Sequence, residues 1–180
     1  MKKLTASVLL ILWILTLFGC GFRSGDVKEP VEFYYPWADL ETQLKQDPAS
    51  TVIGSESREA SGHTGDLDYL LSMYLRGPLD SQLSSPFPAG CKIVEIRPDG
   101  QTLRITLNSA FAQLEDLDLT LACACLARTC FGMTNAAQVR IEAAAPDDNS
   151  SVSITISRTD LLLEDDSTPT QEETTAQTQS

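Results

Sequence analysis

Between residues 67 and 78 the chain carries a helix whose two ends are both written in its residues. Leu67, Leu70, Leu71, Tyr74 and Leu75 recur at i, i+3, i+4, i+7 and i+8, which puts them on one helical face. Thr64 and Asp66 are candidate N-caps, Gly77 fits a left-handed stop, and Pro78 forbids continuation. A helix with a single apolar face must bury it against another layer. The segments on either side supply that layer as strands.

Val31, Phe33 and Tyr35 alternate with Glu32 and Tyr34, the period of a half-buried strand, and Pro36 ends it. Residues 51–58 read as a second, weaker strand. Residues 91–97 form a third, entered through a turn rich in Pro86, Pro88 and Gly90. Asp99-Gly100 favours a tight hairpin, because both residues tolerate positive φ. The return strand, 101–108, sets Leu103, Ile105 and Leu107 against Thr102, Arg104 and Thr106. A second helix is expected over 114–131, with Glu115, Asp116 and Asp118 at its N-terminus, Arg128 near its C-terminus and Gly132 just past it. Residues 138–144 and 152–157 alternate again. The order β, α, β-hairpin, α, β, β predicts an α+β fold. Two helices would pack on one face of a mostly antiparallel sheet of four to six strands, in the split βαβ manner.

The N-terminus is an address. Met1-Lys2-Lys3 is a short positive segment, and an uncharged, strongly apolar run follows to Phe18. The run falls short of the ~20 residues that span a bilayer and matches the core of a signal peptide. It ends in Leu17-Phe18-Gly19-Cys20, similar to a bacterial lipobox. There a small residue admits the signal peptidase, the cysteine thiol receives a diacylglycerol through a thioether, and the freed amine is open to acylation by a fatty acid such as palmitate. Residues 1–19 are therefore expected to be a lipoprotein signal peptide and Cys20 the lipidation site, on the extracytoplasmic face of the membrane. Residues 20–30 read as a flexible tether, 31–163 as the folded domain, and 164–180 as a disordered acidic, Thr- and Gln-rich tail. With 13 basic against 25 acidic side chains and a net charge of −12, the chain lacks the basic face that nucleic acid requires. Anionic lipid would also repel it, so the acyl groups must hold it at the membrane.

Few residues invite chemistry. Cys123 and Cys130, seven apart, share a helix face, while Cys125 points away, so three thiols cannot converge on one metal ion. Cys123 and Cys130 read as small core side chains. The alternative is a disulfide from Cys91 to Cys123 or Cys130 in an oxidising compartment. His63 reads as a solvated loop residue. Asp147-Asp148-Asn149 suits a polar turn better than a calcium loop. No nucleophile elbow, P-loop or zinc-protease motif occurs, and no metal or cofactor is expected. Tyr34, Tyr35 and Trp37 form a candidate interaction surface, since adjacent strand residues face opposite ways and one tyrosine must point outward. Rim packing against Leu40 and Leu44 is the alternative.

Several stretches, taken in order, resemble the GerMN domain of sporulation and germination lipoproteins. They are Tyr34-Tyr35-Pro36, Leu70-Leu71, Leu75-Arg76-Gly77-Pro78, Pro88-Ala89-Gly90, Leu107-Asn108-Ser109-Ala110-Phe111, Arg128-Thr129-Cys130 and Val139-Arg140-Ile141. The likeness covers about residues 31–144. Asn108 and Cys130 depart from it, standing where the family often has Asp and Leu. It implies an α/β module shaped like the ring-building modules of secretion systems, with Leu75, Gly77, Pro78, Pro88 and Gly90 as structural positions. It further implies a non-enzymatic role in assembling an envelope complex, with another envelope protein as partner and association with further copies of the chain left open. The alternative is a lipoprotein that binds or helps process cell-wall peptidoglycan.

Overall fold

The computed structural model describes residues 30–60, 62–144 and 151–161. Residues 1–29 with Cys20, the Asp147-Asp148-Asn149 turn and the tail from 164 lie outside the described residues.

The chain runs β1 (Pro30–Pro36), α1 (Leu40–Gln46), β2 (Ile53–Glu59), α2 (Leu67–Tyr74), β3 (Ile93–Asp99), β4 (Thr102–Leu107), α3 (Asp116–Met133), β5 (Gln138–Ala144) and β6 (Ser151–Ser157). Short 3-10 turns stand at Phe111–Gln113 and Arg158–Leu161. This is an α+β fold with helices packed on a mostly antiparallel sheet. The six strands divide between two sheets, an antiparallel pair β1–β2 and a four-stranded sheet in the order β3-β4-β5-β6. Only β4 and β5 run parallel, which they can do because α3 carries the chain back between them.

The division into two sheets has a local cause. At Tyr34, β1 turns its N–H and C=O away from β2, toward a free edge. There Thr129 of α3 accepts the Tyr34 N–H at 3.0 Å, and the Tyr74 hydroxyl of α2 donates to the Tyr34 carbonyl at 2.7 Å. Two helices thus take the place of a neighbouring strand, which closes the edge to further pairing. α3 packs against β1 and also against β5 and β6. Ala122, Cys123, Cys125, Leu126, Ala127, Thr129, Cys130 and Phe131 are all buried. At ~100° per residue these positions cover about two thirds of the helix circumference. Their small size lets strands approach closely. The inner face of the larger sheet meets them with Leu103, Ile105, Leu107, Val139 and Ile141.

α2 forms as its spacing requires. Asp66, not Thr64, caps it by accepting the Tyr69 N–H at 3.0 Å, and Gly77 takes φ +93° beyond its end. Tyr74 is fully buried; it stacks with Phe33, ring centroids 5.7 Å apart, and meets Phe87 edge to face at 5.3 Å. α1 has no counterpart in the periodic pattern, because it buries no residue. Its stability is local: Asp39 accepts from the N–H and hydroxyl of Thr42, and Lys45 pairs with Glu41 one turn earlier. The end of α3 also differs from expectation. The helix continues through Gly132 to Met133, and Arg158 closes it by donating to the carbonyls of Phe131, Thr134 and Ala136. Arg128 lies elsewhere, over the Tyr34 ring.

The inner face of β2 is polar. Arg58 is 9% exposed, and its guanidinium donates to Glu56 and to the Gly77 carbonyl at 2.7 Å, just past α2. It also lies within 5.1 Å of the Phe33 ring centroid. The Glu56 carboxylate accepts in turn from the N–H groups of Leu79 and Asp80, each at 2.9 Å. One ion pair therefore joins β2, the end of α2 and the loop after it, with nearly every polar atom satisfied. Removing one partner leaves the other charge buried and alone, which typically costs ~3–5 kcal/mol. Arg58→Ala is expected to lower the urea-unfolding free energy by about that much. The double variant Glu56→Gln/Arg58→Met is expected to lose less than Arg58→Ala alone, because it strands no charge.

Candidate functional site

β1 sorts the aromatic residues by the alternation of its side chains. Tyr35 points inward, is wholly buried, and donates its hydroxyl to the Tyr74 carbonyl at 2.8 Å. Burial holds its phenol well above the ordinary range. Tyr35 is core, so the expected surface of Tyr34, Tyr35 and Trp37 loses its middle member. Tyr34 faces outward and is half-buried, with the Arg128 guanidinium 4.5 Å from its ring centroid, a cation–π stack that pairs β1 with α3. Trp37 follows β1, also half-buried. Its indole N–H donates to the Thr51 carbonyl at 2.9 Å. Its ring lies so close over Gly54 that a Cβ there would come within 2.7 Å of it. Trp37 bridges to Leu83 and lines a small cleft of about 220 Å³ with Asp39, Thr42, Gln43, Gln46 and Gln82.

Leu75, Gly77 and Pro78 stand at and just past the end of α2, and Pro88 and Gly90 in the turn before β3. The Gly77 carbonyl receives Arg58, and Pro78 follows it. Pro88 accepts the Cys91 N–H at 3.1 Å, and Gly90 has φ +81°, which makes a tight turn before β3. Asn108 staples this turn from β4. Its amide donates to the Gly90 carbonyl at 2.9 Å, and its side-chain oxygen accepts from the Lys92 N–H at 3.1 Å. Leu75, half-buried, closes α2 by donating its N–H to Leu71.

Cys91, Cys123, Cys125 and Cys130 are buried free thiols. The bridge from Cys91 to Cys123 or Cys130 is not formed; the thiols serve as small core side chains. Desolvation pushes Cys91 up to about 11 and Cys123 and Cys125 up to about 12, and it raises Cys130 as well. All four are protonated near neutral pH, and a protonated thiol is neither nucleophile nor metal ligand. Among the described residues no group of three or more His, Cys, Asp and Glu side chains could hold a metal ion.

His63 sits in the exposed loop before α2. Its ring stacks on Tyr69 with centroids 4.0 Å apart, and its Nδ1 lies 3.6 Å from the Asp66 carboxylate. None of the described contacts joins it to Tyr34 or Trp37. A larger open cleft of about 610 Å³ at one end of the four-stranded sheet is lined by Gln101, Asn135, Gln138, Ser157 and Arg158. Arg158 is already committed there to the three carbonyls that end α3. Two pairings escaped the sequence pattern, Glu56 with Arg58 and Tyr34 with Arg128. Glu56 and Arg58 do stand two apart, on the same face of a strand, which is the one signal they left.

No protein-family model, no curated protein and no solved structure matches this chain.

The buried thiols give a direct check. In the native protein at pH 8, iodoacetamide should leave Cys91, Cys123, Cys125 and Cys130 unmodified. After unfolding without reductant, mass spectrometry should find all four alkylated. Protection of Cys91 together with one helix cysteine in the unfolded chain would reveal a disulfide.

Proposed function

We propose that this chain is a lipid-anchored extracytoplasmic protein whose folded body works by contact, docking on another protein of the cell envelope. The observation that carries the reading is the N-terminal succession. A positive start and a short apolar run lead to Gly19-Cys20, with nine residues between Cys20 and the start of β1 at Pro30. Acylation at Cys20 would hold an acidic body close to a surface that its own charge avoids. The resemblance to GerMN domains supports assembly of a sporulation or germination complex as the setting.

Expressed in a bacterium with a lipoprotein pathway, the chain should appear in the membrane fraction and incorporate an alkyne analogue of palmitate. Cys20→Ala should abolish the label and release the protein from washed membranes. Labelling that survives Cys20→Ala, or an unlabelled cytosolic product from the unsubstituted chain, would refute the anchor.

One observation favours a second reading, contact with cell-wall glycan: the indole of Trp37 beside the carboxamides of Gln43, Gln46 and Gln82. An aromatic plate flanked by amide groups suits a sugar ring. On this reading purified peptidoglycan retains the protein saturably, and Trp37→Ala lowers retention at least tenfold. Equal retention of both proteins would dismiss it.

A further inference from the structure

The two edges of the four-stranded sheet are built differently. β3, at one edge, carries the usual defences against pairing with another chain. Its register with β4 shifts between Ile93 and Glu95, Pro98 lacks an N–H, and Glu95, Arg97 and Asp99 are charged. β6, at the other edge, has none of these within the strand, and only its last residue, Ser157, is covered, by the Asp160 carboxylate. Ser151–Ser157 reads Ser-Val-Ser-Ile-Thr-Ile-Ser, without charge, proline or bulge, and pairs with β5 in unbroken register. Among the described residues no strand lies on its outer side. Val152, Ile154 and Ile156 pack against the core yet remain only half-buried.

The direction of the backbone groups can be assigned. Just beyond the strands the Arg158 N–H donates to the Ala137 carbonyl, next to β5, so continuing the antiparallel ladder Ile156, Ile154 and Val152 also turn their backbone groups toward β5. Ser151, Ser153, Thr155 and Ser157 then turn theirs outward. Ser157 agrees, since its N–H is taken by the Asp160 carboxylate at 2.8 Å and not by β5. Ser153 and Thr155 lie at the centre of the open edge.

The strand is also nearly palindromic about Ile154. Ser151 mirrors Ser157, Val152 mirrors Ile156, and Ser153 mirrors Thr155. A two-fold symmetric interface must be complementary to itself, and residues 152–156 meet that condition, while at Ser157 the outward N–H is already held by Asp160. We infer that β6 pairs antiparallel with β6 of a second copy of this chain, which joins two four-stranded sheets into one of eight strands. Centred on Ile154, the pairing makes Ser153 of each copy and Thr155 of the other a hydrogen-bonded pair through their outward backbone groups. It sets Val152 against Ile156, and Ile154 against itself, on the face that carries α3. Hydroxyl side chains meet hydroxyl side chains on the opposite face. With a net charge of −12 per chain, an uncharged strand is where two copies meet with least repulsion. The pairing stands whether or not Cys20 is acylated.

Opposed residues at a non-hydrogen-bonded position lie ~4.5 Å apart at Cα, within disulfide reach. Ile154→Cys in the full chain, held in detergent and oxidised with copper phenanthroline, should therefore yield a covalent dimer through residue 154. The unsubstituted chain should not yield that link, and Val94→Cys on the defended edge should not yield a dimer through residue 94. Sedimentation equilibrium of the unsubstituted chain should give twice the monomer mass. Thr155→Pro, which removes only an outward N–H, should give the monomer mass, with circular dichroism unchanged. Should Thr155→Pro unfold the chain, Ser153→Lys replaces it, placing a like charge on both sides of the seam with the same expected loss. A monomeric unsubstituted chain, a dimer that survives both substitutions, or pairing of β6 only with a different protein overturns the inference.

Discussion

The guanidinium of Arg58 is the tie on which the smaller sheet depends. β1 and β2 alone make a two-stranded ribbon, and such ribbons are marginal in water without a second layer. The second layer here is α2 with its trailing loop. Arg58 and Glu56 bind it through the Gly77 carbonyl and the N–H groups of Leu79 and Asp80. With α2 so placed, Tyr74 stands between Phe33, Tyr35 and Phe87 and reaches the free edge of β1. α3 closes that edge from its other neighbour through Thr129 and covers the larger sheet as well. A buried pair that satisfies so many main-chain groups gives the sheet one position relative to α2.

What the sequence made legible follows from what each residue buries. β1, β4 and β5 show clean period-two alternation because one face of each is core, and α2 shows its apolar stripe for the same reason. α1 buries nothing and so left no stripe. Its signals were only local: Asp39 placed three residues before Thr42, and Glu41 four before Lys45. β2 looked weak because its inner face carries Gly54, Glu56 and Arg58, residue types that normally mark the solvent side. The division into two sheets was not legible at all. It rests on hydrogen bonds from Tyr34 to Thr129 and from Tyr74 to Tyr34, which join residues 95 and 40 positions apart. Of the expected surface, Tyr34 and Trp37 lie partly exposed and Tyr35 does not. Strand parity required that one of the adjacent tyrosines turn inward but could not say which.

Several side chains that could carry chemistry are taken up in the structure of the described body itself. Its thiols are desolvated, its lone described imidazole leans on Tyr69 in an exposed loop, and Arg58, Arg128 and Arg158 are committed to rings, carbonyls or a carboxylate. Its described surface also carries a half-exposed Tyr34–Arg128 stack, a Trp37 cleft and the strand edge at β6. The difference between edges is instructive. Helices close β1, and bulge, proline and charge defend β3, while β6 keeps a plain Ser-Val-Ser-Ile-Thr-Ile-Ser edge.

Native-state hydrogen exchange read residue by residue tests most directly whether one core unites the two sheets. The Tyr34 amide, sealed by Thr129, should exchange as slowly as the Ile105 and Ile141 amides, with the same dependence on denaturant, so that both sheets open together. A Tyr34 amide that exchanges rapidly, through an opening of β1 and β2 that leaves the four-stranded sheet intact, would contradict it.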